Sequence, residues 1–243
     1  MPPPRRDTNF GTNITERSGW WAPLAVIVAV VLFSVFVLVY YFVPNPVALI
    51  EERPSLSPRI DRVAVTVNDH AFGIPANYLV FASARKGGAR HDVDIAASLP
   101  DFRGYSEAER VVFAATGRSS PIVRIKIREE RYDVPEAERL ARIYLEEVAD
   151  PRGAPEASGL THFLFRDDSG YRGEDLFVGR DGKTPVVMRC ELPSADVPSP
   201  NCMRDYPLGA GAALSYRFKR AHLSDWRAIA RGVSRLVASF ETH

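Results

Sequence analysis

The chain has little of what metal centres, redox sites and nucleic-acid surfaces are built from. Of its 243 residues, two are cysteine and five are histidine. Cys190 and Cys202 stand 12 positions apart with no CxxC and no histidine beside either. They make at most half a zinc site and lack the spacing that tunes a redox pair. His70, His91, His162, His222 and His243 form no HxH, HxxH or HExxH pattern. No serine sits in a GxSxG elbow, and the glycines of Gly209–Tyr216 lack the GK[ST] of a phosphate loop. Net charge is scarce too. The 31 basic and 30 acidic residues leave +1, and beyond the N-terminal tail 28 of each sign remain. That balance offers no electrostatic footprint for nucleic acid. Disorder is excluded by 46% hydrophobic and 10% aromatic residues.

No charged residue occurs between Arg17 and Glu51, and Leu24–Val43 is a run of 20 apolar residues broken only by Ser34, Tyr40 and Tyr41. A helix of that length rises about 30 Å, the thickness of a bilayer's hydrocarbon core. Trp20 and Trp21 on one side and Tyr40 and Tyr41 on the other suit the two headgroup levels. Pro44 and Pro46 stop the helix. The reading is a cytoplasmic tail over 1–21, a transmembrane helix over 22–43, a proline-rich stalk over 44–61 and a folded domain over 62–243. A cleaved signal peptide is the competing reading; its apolar region would be shorter and end in an A-x-A-like site. Orientation is not decided by the flanks, which carry Arg5, Arg6 and Arg17 before the run and Arg53, Arg59 and Arg62 after it.

Within the domain, Val63, Val65 and Val67 alternate before an Asn68-Asp69 turn into His70–Ile74, a hairpin pattern. Tyr78–Phe81 reads as strand and Arg85–Arg90 as a flexible turn. His91–Leu99 and Ile122–Glu130 alternate, the second setting Val123, Ile125 and Ile127 against Arg124, Lys126 and Arg128. Ser106 and Glu109 have capping-box spacing ahead of a short helix. Pro135 opens a helix to Val148 with Ala137, Leu140, Ala141, Tyr144 and Val148 on one face. Asp150–Gly159 reads as loop and Leu160–Arg166 as strand. Leu176–Arg180 and Thr184–Cys190 form a hairpin, and Leu214, Tyr216 and Phe218 mark the last strand. Ser224 would cap a final helix whose apolar stripe runs from Trp226 through Ile229, Val233 and Val237 to Phe240, with Arg227, Arg231 and Arg235 opposite. Hairpins rather than strand–helix–strand repeats predict an α+β fold: a transmembrane helix followed by one antiparallel-sheet domain with about three packed helices.

The cysteines flank the proline-rich loop ELPSADVPSPN, so a structural Cys190–Cys202 disulfide between two strands is set against two free thiols. Asp167, Asp168, Glu174 and Asp175 lack calcium-loop spacing and read as an acidic turn. The Arg124/Lys126/Arg128 row reads as the solvent face of a strand; the alternative is that, together with Arg227, Arg231 and Arg235, it receives an anionic partner. No catalytic, cofactor-binding or metal-ligating residue is assigned.

In IPANYLVF (Ile74–Phe81), LPDFRGYSEAE (Leu99–Glu109) and the Cys190–Cys202 block with SYRF…HLSDW behind it, the chain resembles single-pass, membrane-anchored periplasmic proteins of proteobacteria. The resemblance implies a bacterial inner-membrane address, a cytoplasmic N-terminus, a periplasmic α+β domain and no activity. The expected function is an anchored interaction or accessory module with an envelope protein as partner. The alternatives are a cell-envelope hydrolase with a scattered active site, or a ligand-binding sensor or immunity protein.

Overall fold

The computed structural model describes residues 19–42, 53–131, 134–209 and 211–242. The expected cytoplasmic tail, save Gly19, Trp20 and Trp21, lies outside the described residues. So do Val43 and the first part of the stalk. α1 (Trp21–Phe42) is a 22-residue helix without a charge in it, long and apolar enough to cross a membrane.

The chain divides into two compact units, Met1–Leu49 and Ile50–His243, and in the second Pro54 bridges Phe81 and the Ser55 N–H donates to the Val80 carbonyl. The C-terminal part of the expected stalk is therefore laid against the domain. Arg85 fixes it there, donating to the Ser55 carbonyl and hydroxyl.

Among the described residues, eleven strands form two sheets. β1 (Arg62–Val67) and β2 (His70–Pro75) make the expected hairpin, with Asn68 at φ 50° in its turn. β3 (Gly88–Arg90) joins the other side of β1 in parallel, in the segment read as a flexible turn. The large sheet is antiparallel throughout, in the order β4-β5-β11-β10-β9-β8-β7-β6. Its strands are β4 (Asp92–Ser98), β5 (Ile122–Glu129), β6 (Ala154–Glu156), β7 (Leu160–Leu164), β8 (Glu174–Asp181), β9 (Thr184–Glu191), β10 (Asn201–Gly209) and β11 (Ala212–Lys219). α2 (Arg110–Ala114), α3 (residues 136–147) and α4 (Trp226–Ala238) complete an α+β domain.

Period-2 alternation gives the large sheet two different faces. One carries Val93, Ile95, Val123, Ile125, Ile127, Phe177, Met188, Leu214, Tyr216 and Phe218. It packs against the three valines of β1, against Phe72 and Ile74 of β2, and against the buried stripe of α4. The opposite face carries two smaller apolar patches. α3 covers the β7–β9 end with Tyr144 and Val148 over Phe163, Leu176 and Val187. Phe113 of α2 and Tyr105 cover Ala96 and Ile122. Between these patches the face is polar, and Lys126 reaches Asp92 and Asp94 while Arg128 reaches Glu130 and Asp205.

Several local expectations give way to tertiary contacts. Tyr78–Phe81 makes isolated bridges, Leu79 to Ile95 and Phe81 to Pro54, instead of a strand. The loop expected over Asp150–Gly159 contains β6. Neither half of the capping box forms: the Glu109 N–H donates to the Ser106 carbonyl and not to its hydroxyl, and the Glu109 carboxyl is taken by the Ser98 hydroxyl and Arg103. Ser224 lies inside a 3-10 turn (Arg220–Asp225) and does not cap α4. In α3 a π segment (Leu140–Tyr144) follows the first α turn (Glu136–Arg139), and it is Glu136 that is buried while Ala137 and Ala141 are exposed. A π turn carries one extra residue and so rotates the stripe that follows it.

Candidate functional site: a groove along the last helix

α4 is held by an apolar stripe spaced three and four residues apart. Trp226, Ile229, Val233 and Val237 are each at most 2% exposed. The indole is fixed at its polar end, where Nε1–H donates to the Ser158 carbonyl at 3.1 Å. Four-residue spacing necessarily lines up Arg227, Arg231 and Arg235 on the far side, and all three are exposed.

Between α4 and the β8–β9 hairpin lies a groove of about 680 Å³ lined by Asp181, Thr184, Arg204, Arg231, Ser234 and Arg235, among others. The hairpin turns through Gly182 at φ 64°, leaving Asp181 and Thr184 paired at the groove's rim. Asp181 takes a forked contact from Arg231, Nη2 at 2.6 Å and Nε at 3.1–3.2 Å. This holds the Asp181 carboxyl below its usual range and raises Arg231 above its own. Arg235, one turn further on, has no acidic side chain within ion-pair distance among the described residues.

The floor is Arg204 of β10, 8% exposed. Burial works against its charge, but Glu136 offsets this with a bidentate contact, Nε–Oε1 at 2.9 Å and Nη2–Oε2 at 2.7 Å, and the guanidinium stays above its ordinary value. Tyr206 stacks on the same guanidinium at 4.4 Å and places its hydroxyl 3.5 Å from Ser234 Oγ. Burial raises the phenols of Tyr206 and Tyr216 in this layer. A neighbouring cleft of about 300 Å³ continues the cationic row with Arg180 and Arg227.

The sequence-predicted residues distribute as follows. Arg124, Lys126 and Arg128 project from the opposite face of the sheet to α4, so the two basic rows do not combine into one surface. Cys190 and Cys202 face each other across β9 and β10, both fully buried, and form the disulfide between two strands. The acidic run disperses into ion pairs, Asp168 with Arg166, Glu174 with Arg189, and Asp175 with Arg220 and His162. His162 stacks on Phe177, His91 contacts Glu129, and His70 and His222 meet backbone carbonyls; His243 lies outside the described residues. Among the described residues no group of three or more His, Cys, Asp or Glu could hold a metal ion.

A second cleft, of about 410 Å³, lies on another side of α4 under the cis Leu99–Pro100 bond, with Phe102, Pro121, His222 and Ile229 in its wall. It brings together two of the segments quoted for the family resemblance. Tyr78 of a third donates its hydroxyl to the Phe102 carbonyl.

Fold and site together define an α+β domain with an arginine-lined groove, preceded in the chain by an apolar helix. No protein-family model and no curated protein matches the chain. Among solved structures it is similar to Smlt3025, an immunity protein of the Stenotrophomonas maltophilia type IV secretion system. The TM-score is 0.53 at 17% identity, over 76% of this chain and 94% of that one. At that identity the likeness is one of fold.

Proposed function

We propose that the protein is a single-pass, membrane-anchored immunity protein of a bacterial envelope, whose domain stands on the periplasmic side of the inner membrane and neutralises a protein that arrives there. The observation that carries this reading is the fold likeness to an immunity protein over nearly the whole of that chain. Two features of the chain support it. An apolar helix ahead of the domain would keep it at the membrane, where an envelope toxin acts. A disulfide suits an oxidising compartment. The α4 groove is the surface assigned to the partner, because its mixed polar and apolar lining and its exposed cations suit recognition of a protein surface.

The test is genetic. A strain lacking this chain is mixed with a secretion-competent sibling of the same strain. The expected result is lysis or loss of the deleted strain, reversed by the full-length chain and not by a chain stripped of residues 1–43. Equal survival with and without the protein would overturn the proposal.

A further inference from the structure

The domain beyond the tail is neutral as a whole, with 28 charges of each sign, so cations collected along one helix are a local feature. Arg231 and Arg235 line the groove beside Arg204, and Asp181 is the one acidic residue among those lining it. Asp181 is engaged by Arg231 and Arg204 by Glu136, each through a two-point contact. The charge left over is that of Arg235, exposed and without an acidic neighbour among the described residues. The row is linear. Residues four apart on a helix are about 6 Å apart along its axis. In an extended chain, side chains on one face recur about every 6.6 Å. The two repeats match to within side-chain reach. An arginine fork also fits a carboxylate in two-point geometry.

We infer that the groove receives an extended acidic segment of the protein partner, with carboxylates at alternate positions facing Arg231 and Arg235. This rests on the reading of the chain as a protein-neutralising module and names the chemistry of the partner's contact. A volume of about 680 Å³ has room for several residues, more than one compact anion fills. Arg231 is already held by Asp181 at 2.6 Å, so it enters the contact with its side chain fixed. The incoming carboxylate shares it with Asp181 and takes Arg235 outright.

The probe is a labelled 12-residue peptide with glutamate at every second position and serine or threonine between. It is titrated by fluorescence anisotropy at low ionic strength against the full-length chain in detergent. Controls are the glutamine version and a peptide with the same glutamates in one block. The alternating peptide is expected to bind, more weakly as salt is added, and the glutamine peptide is expected not to. The blocked peptide should bind more weakly than the alternating one. Arg235→Gln, at an exposed site with no acidic partner among the described residues, should keep the melting temperature and weaken binding by about tenfold, the worth of one charged hydrogen-bonded contact. Arg235→Lys should recover part of that. Equal binding by Arg235→Gln, or equal binding of alternating and blocked peptides, would overturn the inference. So would displacement of the peptide by inorganic phosphate or by phosphatidylglycerol vesicles with the same dependence on Arg235, which would make the groove an anion or membrane site. The mixed-culture assay separates the two proposals. If Arg231→Gln/Arg235→Gln protects as well as the natural chain, the groove is the wrong surface and the immunity reading stands. If the peptide binds through Arg235 but deletion costs the cell nothing, the immunity reading falls and the groove stands.

Discussion

Glu136 reaches Arg204 through the gap where β9 and β10 separate. The two strands are in register only from Cys190–Cys202 to Met188–Arg204. Past that point the Val187 N–H donates to Glu136 Oε1 at 2.7 Å instead of to a strand partner. One carboxylate thus satisfies a backbone donor and a buried guanidinium, and the sheet opens there without an orphaned charge. Removing one partner of a buried pair leaves the other uncompensated, at about 3–5 kcal/mol. Glu136→Gln should therefore lower the urea midpoint markedly. Glu136→Met combined with Arg204→Met should cost less than either change alone, with the Val187 N–H the remaining loss. An unchanged midpoint for Glu136→Gln would show the pair to be solvated.

Gly179 lies under Trp226. A Cβ at position 179 would come within 2.5 Å of Cη2 and Cζ2 of an indole that is fully buried. The glycine is required by proximity and not by its backbone angles. Gly179→Ala should destabilise by about 1–3 kcal/mol through overpacking. Trp226→Ala should cost about 3–5 kcal/mol through the cavity. Because the two residues touch, combining Gly179→Ala with Trp226→Phe should cost less than the sum of the single changes. Additive midpoints in a thermal melt would mean that helix and sheet are not packed as described.

Where burial follows a period, the sequence announces it. Val63, Val65 and Val67, then Val123, Ile125 and Ile127, then the Trp226–Phe240 stripe all face the core as their spacing requires. The misses share a cause, which is that a distant partner overrode a local pattern. β3 is three residues long, too short to show a period, and exists because β1 offers it an edge. β10 carries Arg204 and Asp205 within a strand, and it becomes readable only with Glu136, 68 positions away. The basic row on α4 was legible. Its pairing with Asp181, 50 positions earlier, was not, nor was the placement of Arg124, Lys126 and Arg128 on the other face of the sheet.

Tyr78, Tyr144, Tyr206 and Tyr216 each have a phenol raised chiefly by burial. In the folded chain these groups keep their protons past the point where an unfolded tyrosine ionises, about pH 10. The stability they contribute is therefore complete below that pH and is lost as pH rises through their folded values, since the unfolded state releases protons first. Spectrophotometric titration of the nine tyrosines should show an early exposed class and a late class that ionises together with unfolding. Tyr216→Phe should remove one late group and soften the alkaline loss of stability. A single titration step near pH 10 with the fold intact would contradict the burial of these rings.

Cys190 and Cys202 close a loop of 11 intervening residues between strands already in register. Closing a loop of this size stabilises by about 3 kcal/mol in the chain-entropy account. The bond also reports the compartment, since it persists where thiols are not kept reduced. In freshly prepared membranes, a thiol-alkylating reagent added under denaturing conditions should label neither cysteine until a reductant is present. A periplasm-dependent reporter such as alkaline phosphatase, fused after His243, should be active, and a cytoplasm-dependent one should not. Cys202→Ser should lower the melting temperature while the protein stays in the membrane fraction, because α1 has no part in the loop. Two labelled thiols together with an active cytoplasmic reporter would place the domain on the inner side of the membrane, and the reading of this chain as a guard of the periplasm would fall with them.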